Sequence, residues 1–372
     1  MGDNMTDNPY AWQDQVFAKW RDNDFRGVVK ATVGSGKTIA GCKTIQTYQK
    51  YFMYDRIWII ANSKEVLEQW KKEARRMGIE GLEFFTYLGA VSRFNKLTRE
   101  GKEKQYPDVM ILDECHCVNA PTWGRVMDFG VTKYLGLSGT PNGSQAKLGG
   151  IIMTVDWEQS NTVDTDVFTL TFKPTASEMA SYEKRSNTIE KYRYSHPNSN
   201  YKNDMRLQMM YNGRRMLVNK FESRYDHAIA LIRKFLGRKT MVFCQYHEQA
   251  ETLSKMLDDY GIGHTIHISG KEGLDKFISG QVDICISCKK LTTGFNYPPA
   301  DLAIIMATAT SPLTATQTLG RVIRPDPSNP YKRATVIFLL ADNTNDMALL
   351  DNGIYIKEKM YRMPIEKFME MN

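Results

Sequence analysis

The stretch Ala31-Thr32-Val33-Gly34-Ser35-Gly36-Lys37-Thr38 constrains this chain more than any other. A short apolar run with Val28 and Val29 precedes it, and a helix-like segment from Thr38 to about Phe52 follows. Strand, glycine loop and helix in that order form the geometry that grips a triphosphate. Gly34 and Gly36 let backbone N–H groups turn inward around phosphate oxygens. The helix N-terminus adds its partial positive charge. In such a loop Lys37 reaches the β- and γ-phosphates and the Thr38 hydroxyl ligates Mg²⁺. The candidate nucleotide-binding set is therefore Gly34, Ser35, Gly36, Lys37 and Thr38. The generic pattern opens with Gly, where this sequence has Ala31.

A chain of 372 residues has room for two domains of ordinary size. Its formal net charge of +7 is compatible with a polyanionic partner without requiring one. Six cysteines sit mostly inside apolar runs, where Cys behaves as a small hydrophobe. The lone Cys285-Ile-Ser-Cys288 has no second pair at zinc spacing, and a reduced, intracellular setting fits better than a disulfide framework. No apolar stretch approaches the ~20 residues of a membrane span, and the N-terminus lacks a secretory pattern. A myristoylation-like Met1-Gly2 start has no second anchoring signal and reads as coincidence.

Taken in order, residues 9–20 read as a helix whose Trp12, Val16, Phe17 and Trp20 pack inward. Gln13 on that helix is a candidate adenine sensor. A buried-strand pattern over residues 56–61 leads into Asn62-Ser63 and a helix from Lys64 to about Met77. Asn62 and Ser63 suit either a plain helix cap or a second phosphate contact. Residues 84–88 read as a short strand, and 95–106 as a charged, exposed connector. Asp108-Val-Met-Ile-Leu-Asp113-Glu114 then delivers two adjacent carboxylates at the carboxyl end of a strand, where ligands sit in open α/β sheets. Asp113 suits Mg²⁺ through its water shell, and Glu114 suits orienting or deprotonating an attacking water. Cys115-His116-Cys117 is a poor metal site, because three consecutive residues cannot all face one ion from regular structure. Ser138 and Thr140, in Ser138-Gly139-Thr140-Pro141, sit where a loop senses a γ-phosphate, or form an ordinary turn.

Residues 142–166 read as the connection between two domains. A strand over 167–172 and a charged helical stretch over 176–236 follow, the latter interrupted near His196-Pro197. That stretch suits a nucleic-acid-facing insert or a solvated arm. From Lys239 the α/β alternation restarts, with Gly270-Lys271 as a phosphate-friendly turn. Gln317, Arg321 and Arg324 fall on one helix face. They suit arginine fingers reaching a γ-phosphate, or a salt-bridged helix surface.

The ordered set resembles the superfamily 2 helicases over nearly the whole chain. In that family's terms Gln13 matches the upstream glutamine and Ala31–Thr38 motif I. Asn62-Ser63 matches motif Ia, Thr86-Tyr87 the next strand-binding motif, and Asp113-Glu114-Cys115-His116 motif II in its DECH form. Ser138-Gly139-Thr140 is similar to motif III, Leu291–Asn296 to motif V and Gln317–Arg324 to motif VI. The motif III and VI versions look closest to the XPB, phage UvsW and type I restriction translocase group. Asn296 stands where Asp is common in motif V.

The resemblance implies an α/β chain of two tandem RecA-like domains with mostly parallel sheets and ATP in the cleft between them. Residues 1–160 would form the first domain and 161–372 the second, with the helical insert at about 176–236. It implies ATP and Mg²⁺ as cofactors, with Gly294 and Asn296 also near the nucleotide. It places Asn62, Ser63, Thr86, Gly270, Lys271 and Thr293 near nucleic-acid phosphates. The expected activity is an ATP-dependent helicase or translocase on nucleic acid, DNA ahead of RNA. An ATP-gated clamp that hydrolyses ATP without separating strands is the rival reading, and a nuclease is set aside because no spare acidic cluster exists. Monomer is the default state. Substrate choice falls to the 176–236 arm, the 95–106 connector or a protein partner.

Overall fold

Apolar β-rich runs alternating with amphipathic segments give two α/β units, the second beginning at Val163. The structure is a computed structural model describing residues 10–31, 34–155, 163–201, 203–268, 270–288, 300–306, 329, 331–348 and 360–371.

In the first unit, strands β1 (Arg26–Ala31), β2 (Ile57–Ala61), β3 (Leu82–Thr86), β4 (Val109–Asp113), β5 (Lys133–Ser138) and β6 (Ile151–Val155) pair in the order β3-β2-β4-β5-β1-β6. Every pairing in this sheet is parallel. β2 and β4 are buried at every residue, as strands covered on both faces must be. Alternate side chains sort to opposite faces. Ile57, Ile59, Val109 and Ile111 pack with helices α1 (Ala11–Asp22), α2 (Lys37–Gln49) and α3 (Lys64–Arg76). Trp58, Ile60, Met110 and Leu112 pack with α4 (Tyr87–Arg99) and the turns after β4.

Three expectations for this unit need correction. Tyr87 and Leu88 do not extend a strand; they open α4, whose Tyr87, Ala90, Val91, Phe94 and Leu97 recur at helical spacing. The segment 95–106 is therefore largely structured. α4 runs through it to Arg99, and Phe94 stacks on Phe129 and Tyr106 at 4.0 and 4.4 Å. Residues 142–166 are more than a connection, because β6 adds a sixth strand beside β1.

The second unit is built on β7 (Asp164–Phe172), β8 (Thr240–Cys244), β9 (Thr265–Ile268), β10 (Lys271–Glu272), β11 (Ile284–Cys288), β12 (Leu302–Ile305), β13 (Arg333–Ala341) and β14 (Met360–Pro364). Their order is β10-β9-β11-β8-β12-β13-β7-β14, parallel except for the β9–β10 pair. The described helices are α5 (Ala176–Ser195), α6 (Met205–Asn219), α7 (Glu222–Lys234), α8 (His247–Asp259), α9 (Leu274–Ile278) and α10 (Ile365–Glu370).

The charged stretch 176–236 divides in two. α7 is no solvated arm: Tyr225, Ala228, Ile229, Leu231 and Ile232 are buried in the core of the unit. Only the α5–α6 hairpin remains as an insert, and it breaks after Ser195. Arg224 on α7 is fully buried. Its guanidinium donates to the carbonyls of Val218, Met306 and Leu339 at 3.2, 2.9 and 2.7 Å and pairs with buried Asp346. This knot fastens α7, β12 and β13 to the turn at Asn345–Met347.

Candidate active site

β1 ends at Ala31, and α2 starts after Gly36. Gly34 and Gly36 have φ of +86° and +88°, a left-handed backbone that other residues adopt only with strain. Gly36 is also closely approached: a Cβ there would lie 2.5 Å from Gln13 Nε2. Gln13 itself is buried and donates to the Gly36 carbonyl at 3.3 Å. The candidate adenine sensor is thus tied to the loop it would report on. Ser35 is buried, Thr38 is half-buried at the start of α2, and Lys37 Nζ donates to the Ala31 carbonyl at 3.2 Å.

β5 lies between β4 and β1, and all three run parallel, so Asp113 emerges at the same sheet edge as the glycine loop. Asp113 is buried and held from three sides. Trp70 Nε1 donates to Oδ2 at 2.8 Å, the Glu114 amide to Oδ1 at 2.9 Å, and Tyr87 OH to the Asp113 carbonyl at 3.0 Å. Burial and the neighbouring Glu114 charge raise its pKa to about 6, against the pull of Trp70 and Lys37. Glu114 follows with φ +47° and ψ +54°, a left-handed conformation unusual for a side chain of this size. That turn separates the two carboxylates. Burial alone raises the Glu114 pKa, but the Lys37 charge and the hydrogen bonds to His116 and Ser138 outweigh it and hold the group below its ordinary value. Lys37 acts on both carboxylates, so the three charged residues form one electrostatic unit.

Ser138, at the end of β5, joins this unit to the next loop. Its hydroxyl donates to Glu114 Oε2 at 3.3 Å, lies 3.2 Å from His116 Nδ1, and accepts the Thr140 amide at 3.1 Å. Thr140 Oγ1 is buried with no hydrogen-bond partner among the described residues.

The donor set suits Mg²⁺. Asp113 and Thr38 offer hard oxygens, and each Asp113 oxygen, holding one hydrogen bond, keeps a lone pair. No group of three or more His, Cys, Asp or Glu that could cage a metal exists among the described residues. One or two protein oxygens plus phosphate and water is the usual way this ion is held. Cys115 and Cys117 are buried, and burial pushes both thiols up to about 12, which leaves them inert. Cys285 and Cys288 are also buried and form no disulfide, and Cys288 Sγ donates to the Gln245 carbonyl at 3.2 Å.

Residues 6–143 match the family model described as "Type III restriction enzyme, res subunit", and residues 223–326 match "Helicase conserved C-terminal domain". The chain belongs to the superfamily 2 helicases. Helicase domains of this kind imply ATP use and ATPase activity. No curated relative matches the sequence. Among solved structures, Saccharomyces cerevisiae Dbp5 bound to RNA and ADP–BeF3 matches with a TM-score of 0.63 at 15% identity, over 96% of this chain and 90% of that one. The Type ISP restriction-modification enzyme LlaBIII bound to DNA matches with 0.62 at 13%, over 98% of this chain and 31% of that one. A putative HsdR subunit of a type I restriction enzyme from Vibrio vulnificus gives 0.61 at 14%, over 95% and 68%. These likenesses establish the fold, two parallel sheets forming tandem RecA-like domains.

Among the expected nucleic-acid contacts that are described, several have local structural roles. Ser63 Oγ caps α3 by accepting the Val66 amide at 3.3 Å, and Thr86 Oγ1 caps α4 by accepting the Gly89 amide at 3.1 Å. Asn62 Oδ1 is buried and has no partner among the described residues. Gly270 and Lys271 form the hairpin of β9 and β10, and Lys271 pairs with Glu251 at 2.6 Å on the surface. Such an exposed pair is worth little and is readily exchanged. Thr293, Gly294, Asn296, Gln317, Arg321 and Arg324 lie outside the described residues. Sequence reasoning missed Trp70, Tyr87 and His116 as supports of the carboxylates. The available signal was Trp70 on the apolar face of α3, since a buried indole N–H needs an acceptor. No helix among the described residues is long and apolar enough to cross a membrane.

Proposed function

We propose that this chain is an ATP-driven motor on nucleic acid, acting on DNA in preference to RNA and coupling hydrolysis to strand separation or remodelling. One observation carries the reading: Glu114 stands under the charge of Lys37 while its carboxylate shares Ser138 with the Thr140 amide. A group so placed can take a proton from an attacking water and feel the loop beyond it.

In this reading the loop amides of Gly34, Ser35 and Gly36 hold the phosphates, Lys37 draws charge from the γ-phosphate, and Gln13 reads the adenine edge. Thr38 and Asp113 would hold Mg²⁺, which would supply charge neutralisation to the phosphates. Glu114, its pKa held low, is ionised at neutral pH and orients the water. Arg321 and Arg324, together with Gln317, complete the site in the active state, while Gly294 and Asn296 approach the nucleotide. Loss of the γ-phosphate is passed from Glu114 through Ser138 to Thr140, and so to the strand-binding residues Asn62, Ser63, Thr86, Gly270, Lys271 and Thr293. The motor works as a monomer.

ATP hydrolysis with single-stranded, duplex and forked DNA and with RNA tests the substrate, and strand displacement tests the motion. Stimulation by DNA with displaced strand supports the reading. Stimulated hydrolysis without displacement assigns an ATP-gated clamp, and stimulation by RNA alone changes the substrate.

A further inference from the structure

The α5–α6 hairpin carries a pocket of about 380 Å³ that none of the motif residues lines. That volume falls in the usual range of small-ligand sites. Arg193, Arg214 and Arg215 line it with Tyr201, Tyr211 and Asn345, and no carboxylate does. None of these arginines forms an ion pair among the described residues. Arg214 donates to Ser186 Oγ at 3.1 Å and Arg215 to Asn212 Oδ1 at 3.5 Å, both neutral oxygens. Three guanidiniums facing one concavity repel each other unless an anion joins them. The planar fork of Arg matches phosphate geometry. Residues 176–219 carry eight Lys and Arg against four Asp and Glu, so the surrounding field also favours an anion.

The rest of the lining narrows the anion. Tyr201 is 47% exposed, with its ring edge-on to Tyr211 at 6.0 Å, and the Arg214 guanidinium covers Tyr211 at 5.4 Å. Aromatic faces interleaved with guanidiniums suit an unstacked base beside its phosphate. Asn345 Oδ1 is buried with no hydrogen-bond partner among the described residues, an acceptor that a base amine or sugar hydroxyl satisfies. The turn carrying Asn345 is fixed through its neighbour Asp346 to Arg224. It follows β13, whose carboxyl end shares an edge with those of β8, β9 and β11, because these strands are parallel. Ligands of α/β sheets bind beyond that edge. Gly270 and Lys271 also follow β9 there.

We propose that this pocket holds one nucleotide unit, its phosphate on Arg193, Arg214 and Arg215 and its base against Tyr201. The unit belongs to a single nucleic-acid strand engaged by the motor, which rests on the function proposed above. The pocket would then make the hairpin a determinant of which strand the motor grips.

The test uses the full chain, its phosphate loop saturated with ADP, and the fluorescence anisotropy of a short labelled single strand. Arg193→Ala/Arg215→Ala weakens strand binding by about 10–100-fold and makes the salt dependence shallower by about one to two phosphate contacts. Tyr201→Ala weakens it by about 10-fold or more. Lys184→Ala/Lys191→Ala removes the same charge from exposed positions of the hairpin and costs less than about 3-fold. Hydrolysis without nucleic acid is unchanged in all three. Free thymidine monophosphate provides the second arm. If it binds the parent but not the double arginine variant, while strand affinity is equal in both, the pocket serves free nucleotides and the strand assignment falls. Equal loss from the lysine variant, or no change in either arm, overturns the pocket itself. If the parent binds no strand at all, the motor reading fails and the mononucleotide arm alone decides the pocket.

Discussion

Arg224→Met should destabilise the second unit selectively. Arg224 and Asp346 are both fully buried, and the guanidinium also serves three carbonyls from α6, the end of β12 and β13. The substitution keeps much of the volume but takes the cation from a buried carboxylate. Breaking such a pair costs about 3–5 kcal/mol. With a urea dependence of about 3 kcal/mol per molar, the midpoint falls by about 1–1.7 M. The sequence supplies the readout. All six tryptophans, Trp12, Trp20, Trp58, Trp70, Trp123 and Trp157, precede Val163. Tryptophan fluorescence therefore reports the first unit alone, while far-ultraviolet circular dichroism reports both. The account predicts a dichroism component that melts early and an unmoved fluorescence transition. Arg224→Met/Asp346→Leu should recover most of the loss, because no buried charge remains. A midpoint shift below about 0.3 M, or an equal shift in both signals, would refute the reasoning.

Gly41→Ala tests Trp70 as the support of Asp113. The new Cβ would lie 2.3 Å from Trp70 Cη2, so the indole must move off the carboxylate, and ATP turnover should fall about 10-fold or more in a protein that still folds; an unchanged rate contradicts the role. Ser138→Ala removes the junction between Glu114 and Thr140 and should abolish nucleic-acid stimulation while sparing most basal hydrolysis; undiminished stimulation would refute the coupling. Asp55→Asn tests a pH dependence. Burial raises the Asp55 pKa, but hydrogen bonds from Lys133 and Tyr48 and the Lys133 charge outweigh it, so the folded value is lowered. Its contribution is therefore present above the ordinary carboxylate range and lost as pH falls through the lowered value. The variant should be about 1–3 kcal/mol less stable at pH 7 and equal to the parent once the pH has fallen below the lowered value, read by fluorescence of Trp20 against Tyr48. An equal deficit at both pH values would contradict the assignment.

The parallel strands were the most legible part of the sequence. Buried on both faces, β2, β4, β8 and β11 read as continuous apolar runs. The glycine loop and Asp113 were legible because their chemistry is local. What escaped was set by tertiary context. β6 follows Gly149-Gly150 in a polar stretch and becomes a strand only because β1 offers its edge. β14 is an exposed edge strand ending in Pro364, with little apolar pattern to announce it. α7 lies hidden in a charged stretch because its buried Arg224 looks polar until Asp346, more than a hundred residues later, is beside it. Tyr87 read as part of a strand and Trp70 as one apolar position on a helix, and the polar atoms of both proved to hold Asp113. The left-handed turn at Glu114 has no signature in a side chain that rarely adopts it.

The most direct measurement is ATP hydrolysis by the purified protein and by Glu114→Gln, each with and without forked DNA. The variant keeps the shape of the side chain and removes the charge that faces Lys37. The account predicts DNA-stimulated turnover in the parent and a loss of about 10²–10⁴-fold in the variant, the contribution of a positioned general base, with ATP binding retained. Hydrolysis by Glu114→Gln at the parental rate would contradict the central claim.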